Sequence, residues 1–224
     1  MNVKEHKELF QKYFKELIKE QSLIRNDMLG HSISSIYYTP KLDAWNIDIK
    51  DENIIHLPMG VVTLVLSNGK HYQINTNYQS WSGRSFGVLL KKLEKEEFTK
   101  NKLELDKDYY NKEHIWSPFQ DVLITKVNWN WKTKLEEPKN GKKLSLSLAS
   151  KYIFEDYFVP ESLILEFENK EKVFFFGLEP DEKKTYNNTY SLIRGGEELI
   201  IFLNENKLER WNLKNIGFQI IDNN

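Results

Sequence analysis

Residues 58–78, PMGVVTLVLSNGKHYQINTNY, carry the reading of the fold: two runs of strand formers flank Asn68-Gly69. Asn-Gly tolerates the positive φ that a type I′ turn requires at both central positions, so the stretch predicts a β-hairpin. A two-residue loop there sets Val65 opposite Tyr72 and Thr63 opposite Ile74, and puts Leu64 and Leu66 on the other face with His71, Gln73 and Asn75.

Working outward, Leu9, Phe10, Tyr13, Phe14, Leu17 and Ile18 recur at helical spacing, which predicts an amphipathic helix from about Lys4 to Leu23 lying on a sheet. Strands are expected at Ser32 to Thr39 and Leu42 to Asp51. Gln79 to Gly87 reads as a small, polar loop, Val88 to Phe98 as a helix with Leu89, Leu90 and Leu93 inward, and Thr99 to Glu113 as a charged connector.

The second half opens with a strand at Val122 to Trp131, followed by a turn at Pro138 to Gly141 and an alternating run at Leu144, Leu146 and Leu148. Pro160 to Gly177 predicts a second hairpin bending at Asn169-Lys170, with Leu163, Leu165 and Phe167 aligned with Phe174 and Phe176. Arg194-Gly-Gly-Glu197 predicts a third, joining Thr189 to Ile193 with Leu199 to Leu203, and Leu208 to Leu213 and Phe218 to Ile221 read as last strands. Hairpins dominate and strand-helix-strand alternation is absent, so the expected class is α+β: a mainly antiparallel sheet carrying the amino-terminal helix.

One domain over residues 1–224 is expected, with a degenerate repeat of residues 24–98 and 115–213 as an internal pattern. Ile33, Ile36 and Tyr38 match Ile124, Val127 and Trp129 in spacing, and Leu64, Leu66 and Asn68 match Leu165, Phe167 and Asn169. Convergence of hairpins explains the same pattern without duplication.

Composition bounds the function. Thirty-two basic and 33 acidic residues give a net charge of −1, against a general polyanion binder and so against direct nucleic-acid binding. With no cysteine, thiolate metal sites, disulfides and cysteine nucleophiles are excluded. No stretch reads as a bilayer span or a signal segment, so no membrane role and a cytoplasmic location are expected. His6, His31, His56, His71 and His114 lack metal-ligand spacing; Glu113-His114 and Asp106/Asp108 are acid/base candidates, but acidic pairs are common in a chain this charged and a solvated charged face explains them better. No nucleophile elbow or phosphate-binding glycine loop occurs; neither a cofactor nor a metal is expected, nor any catalytic residue.

Binding residues are easier to nominate. Trp81 and Arg84 are of the types enriched at binding hot spots and fall in the expected small-residue loop, although Trp81 folding back on its sheet explains it as well. Trp129 and Trp131 share a strand face, as core residues or as a sugar-stacking surface. From Lys151 to Ile200, 11 acidic residues face 6 basic ones, a local difference of −5 in an almost neutral chain. Glu155, Asp156, Glu161, Glu179, Asp181 and Glu182 form its clusters near hairpin ends, where they steer a basic partner or simply keep the chain soluble.

The segments LGHSISSIYYT, PMGVVTLVLSNGKHYQI and SFGVLL resemble immunity proteins of bacterial polymorphic-toxin systems over about the first hundred residues. The resemblance implies a cytoplasmic, non-catalytic protein that binds one cognate toxin domain, often a nuclease, and blocks its active site. It carries over no catalytic or binding residue, and it leaves the oligomeric state open. The alternatives are a β-rich protein binding a small ligand or carbohydrate through Trp81, Trp129 and Trp131, or a hydrolase.

Overall fold

The central hairpin forms, with a loop one residue longer than Asn-Gly alone implies. In the computed structural model, which describes residues 3–38, 55–56, 58, 60–79, 84–104, 116–132, 159–180, 192–194, 198–206 and 208, strands β3 (Val61–Leu66) and β4 (His71–Gln79) flank it. Leu66 N donates to Lys70 O at 2.9 Å and Gly69 N to Leu66 O at 2.8 Å, so Ser67, Asn68 and Gly69 make a three-residue loop. Gly69 has φ +76°, and Asn68 closes the bend through its side chain, with Oδ1 accepting from Lys70 N at 3.0 Å. This is a turn followed by a bulge with glycine in the left-handed position.

The extra loop residue shifts the expected register by one, and a shift of one exchanges the faces of a strand. Leu64 pairs with Tyr72 and Val62 with Ile74, all four buried, whereas Val65 and Thr63 pair with His71 and Gln73. The apolar pairs therefore meet each other. The second hairpin repeats the correction. Between β7 (Val159–Phe167) and β8 (Lys172–Pro180), Phe167 N donates to Glu171 O and Lys170 N to Phe167 O, and Lys170 has φ +71°. Leu163 and Leu165 accordingly oppose Phe175 and Val173, while Phe174 and Phe176 face the other side.

Ten strands among the described residues make two antiparallel sheets, as the expected α+β class requires. The first has the order β1 (Ile33–Tyr37), β3, β4, β5 (Arg84–Leu93); the second runs β2 (Ile55–His56), β10 (Glu198–Phe202), β8, β7, β6 (Ile124–Lys132), with β9 (Leu192–Arg194) also on β8. β5 lies across β7 and β8, and one core, holding Leu64, Tyr72, Ile74, Leu90, Leu165, Phe167 and Phe175, fills the space between.

Two expected elements are replaced. Val88 to Leu93 belongs to β5, paired along β4, rather than to a helix. Val88, Leu89, Leu90 and Leu93 are all buried, and a run buried on both faces has no strand alternation to betray it. The expected third hairpin does not form: β9 and β10 both pair antiparallel with β8, Arg194 and Glu198 each opposite Leu178. Both therefore run in the same direction along β8, which a hairpin between them would not allow.

Helix α1 (Val3–Met28) extends beyond the expected Leu23 because Ile24 and Met28 continue its inner stripe, buried with Gln21. The side chains of Leu9, Phe10, Tyr13 and Phe14 lie outside the described residues. Gln21 fastens the helix to the first sheet: its Nε2 donates to Leu90 O at 2.8 Å and its Oε1 accepts from Leu90 N at 2.9 Å, occupying the free edge of β5 as a neighbouring strand would. Helix α2 (Lys95–Glu104) occupies the start of the charged connector and places Phe98 against His71, stacked at 4.0 Å, and Tyr37. The features expected at Leu42 to Asp51, at Pro138 to Leu148, over residues 209–213 and at Phe218 to Ile221 lie outside the described residues, whereas Leu208 sits in a helical turn, not a strand.

The two sheets are built on matching bonds. Leu29 N donates to Arg25 O at 3.2 Å, and Gln120 N to Trp116 O at 3.2 Å; left-handed Gly30 and Asp121 follow, at φ +75° and +57°. Gly30 N then donates to Ile124 O, and reciprocally Asp121 N to Ile33 O. Ser32 bridges to Leu123. Register shifts come at Ile33/Ser35 and at Ile124/Lys126, and Ser34 Oγ and Thr125 Oγ1 donate to Val65 O and Glu166 O, both at 3.1 Å. Reciprocal contacts of this kind are those of a two-fold arrangement, here within one chain and centred near Ser32 and Leu123.

Candidate functional site

Antiparallel pairing brings two of the nominated acids to one end of the second sheet. Glu161 stands near the start of β7 and Glu179 near the end of β8, away from the 168–170 loop, and Glu179 pairs with Ile193 of β9. Asp181 and Glu182 follow β8 directly in sequence, and Glu155 and Asp156 shortly precede β7. These four, like Trp81, lie outside the described residues, as do Asp106, Asp108, Glu113 and His114. Arg84 opens β5, opposite Gln79, so it belongs to a strand rather than to the expected loop, and its strand is in the other sheet.

Trp129 is 8% exposed and part of the core, which removes it from any stacking surface. The shared face expected for Trp129 and Trp131 is also disturbed, because the register shifts between Asn130 and Trp131.

A cluster without a signal in the sequence joins α1 to the first sheet. Asp27, one residue from the end of α1, receives hydrogen bonds from the Lys70 ammonium and, at 2.5 Å, from the Tyr72 hydroxyl, with Lys92 Nζ at 3.5 Å. A carboxylate near a helix carboxy terminus meets the negative end of the helix dipole, and these groups offset it. The Lys70 and Tyr72 bonds, followed by the charges of Lys70 and Lys92, hold the Asp27 carboxyl down from 3.8 to about 2 against the opposing effect of burial. Burial, with the bond to Asp27, pushes the Tyr72 phenol above its ordinary 10.0. Both carboxylate oxygens are engaged within the protein, so the role of the cluster is to tie the helix end to β4. Ion pairs Lys126–Glu166 and Lys172–Glu205, each at 3.1 Å on exposed lysines or glutamates, add little.

Among the described residues no group of three or more His, Cys, Asp or Glu is placed to hold a metal ion, and no helix is long and apolar enough to cross a membrane. Comparison with protein-family models, with curated proteins and with solved structures gave no match.

Proposed function

We propose that the chain is a non-enzymatic binding protein, an immunity protein that acts in the bacterial cytoplasm by docking on a cognate toxin domain and neutralising it. The carrying observation is the shared end of β7 and β8, where Glu161 stands near the start of one strand and Glu179 near the end of the other, with Glu155, Asp156, Asp181 and Glu182 close to them in sequence. An acidic end of this kind favours encounter with a basic protein, and a nuclease is basic where it holds phosphates. Inhibition on this reading is coverage: the docked sheet end excludes substrate from the toxin.

The test uses a toxin domain encoded beside this gene, and the absence of one there counts against the reading. Expressed in a bacterial host, that domain should stop growth, and this chain should restore it. Glu161→Lys with Glu179→Lys should slow association and flatten its salt dependence, with circular dichroism unchanged. Toxicity that persists in the presence of this chain, or an association rate untouched by the reversals, refutes the reading.

A further inference from the structure

The two equivalent loops differ in one chemical respect. Each carries an exposed asparagine whose Oδ1 accepts from the amide two residues on: Asn68 from Lys70 N at 3.0 Å, and Asn169 from Glu171 N at 3.1 Å. In each the next residue is left-handed, glycine at 69 and lysine at 170. The other end of the side-chain amide sets them apart. Asn169 Nδ2 donates to Pro118 O at 2.8 Å, whereas Asn68 Nδ2 makes no hydrogen bond among the described residues.

The bond to Lys70 folds the Asn68 side chain back along the loop, over the Gly69 peptide that lies between the two bonded residues. A donor on Oδ1 draws electron density from the side-chain carbonyl carbon, and it is already in place for any negative charge that the oxygen gains. Glycine gives its own nitrogen no Cβ to shield it, and the space where a Cβ would stand at Gly69 is open. An electrophilic carbon, a neighbouring nitrogen and an unheld leaving group therefore meet in one exposed loop.

We propose that Asn68 is a modification site, where the side-chain amide becomes a carboxylate through attack by the Gly69 nitrogen and then by water. Hydroxide takes the Gly69 amide proton once the bond from Gly69 N to Leu66 O opens. The nitrogen then bonds to Asn68 Cγ, the Cγ–Nδ2 bond breaks, and Nδ2 leaves as ammonia with a proton from water. Water adds to either carbonyl carbon of the resulting five-membered imide and cleaves that carbon from the nitrogen. Opening at Cγ leaves an ordinary aspartate, which keeps an oxygen for Lys70 N. Opening at the α-carbonyl carbon routes the main chain through Cβ and Cγ and makes it one atom longer, in a loop whose length fixes the register of β3 on β4. Asn169 is spared, because Lys170 sets a side chain beside the nitrogen and Pro118 O holds the departing amide. The site is independent of the acidic end of the second sheet.

The experiment holds the folded full chain in warm, mildly alkaline buffer, samples it over days and reads its proteolytic peptides by mass spectrometry. Peptides rather than the whole mass are needed because the sequence has a second Asn-Gly pair, Asn140-Gly141, outside the described residues. The peptide holding Asn68 should gain about 1 Da and divide into two chromatographic forms, while the peptide holding Asn169 stays unchanged. Gly69→Ala, with its fold checked by circular dichroism, should slow the gain roughly tenfold. An Asn68 that stays intact while the same chain unfolded in urea converts at that position overturns the proposal. Conversion of Asn169 as fast as Asn68 overturns it too, as does a Gly69→Ala chain that converts at the wild-type rate.

Discussion

Gly69 and Lys170 occupy the same place in two loops closed by the same bonds, and exchanging their residue types should move stability in opposite directions. Gly69 has φ +76° and Lys170 φ +71°, and a Cβ added at Gly69 would meet nothing within 4 Å. The cost of Gly69→Ala is therefore conformational, not steric. Left-handed backbone costs an L-residue roughly 1–2 kcal/mol, and the lost flexibility of glycine in the unfolded chain returns about 0.5–1 kcal/mol. The net expectation is a loss of about 1 kcal/mol for Gly69→Ala and a gain of similar size for Lys170→Gly. In urea denaturation followed by tryptophan fluorescence, at a slope near ~2 kcal/mol/M, each should displace the midpoint by roughly half a molar, with the slope unchanged. The variant combining Gly69→Lys with Lys170→Gly should unfold near the wild-type midpoint. A Gly69→Ala midpoint equal to wild type, or a Lys170→Gly variant less stable than wild type, would refute the assignment of both loops.

Asp27→Asn should cost about 1–2 kcal/mol at neutral pH, read by the same denaturation, because Lys70 and Lys92 lose their carboxylate. The Asp27 carboxyl has a lowered folded-state pKa, so its stabilisation is full above 3.8 and disappears as pH falls towards 2; the acid limb of a stability profile should be shallower in the variant. Tyr72 behaves oppositely. Its folded-state pKa is raised, so its contribution is full below 10.0 and falls as pH rises beyond that, and Tyr72→Phe should flatten the alkaline limb. Gln21→Met should lower stability by roughly 2–4 kcal/mol by leaving the Leu90 N–H and C=O unanswered, with faster amide exchange at Leu90 as the local measurement.

Where the chain turns and where its first two hairpins lie are legible in the sequence, since Asn68-Gly69 and Asn169-Lys170 sit at real bends. Register is not, because the same Asn-Gly pair serves a two-residue loop and a three-residue loop, and only the apolar pairing of Leu64 with Tyr72 separates them. β5 imitates a helix because its apolar run is buried on both faces and fits either period. Gln21 carries a readable signal, a polar residue on the stripe continued by Ile24 and Met28, which calls for a buried partner. Charge alone nominates Glu161 and Glu179; that both stand at the same end of the sheet follows only from the antiparallel pairing of β7 with β8.

The amide of Gln21 also bears on the exposed edge of the first sheet. Among the described residues β5 is the outermost strand of the first sheet, with Val88, Leu89 and Leu90 in its middle. An uncovered edge of that composition is a template for strands of other molecules. A side-chain amide has the donor and acceptor of a peptide group but no continuation on either side, so Gln21 fills the middle of the edge and ends the sheet there. A single residue of a helix thereby stands guard against edge-to-edge growth, a task other sheets give to lysines, prolines or a covering loop.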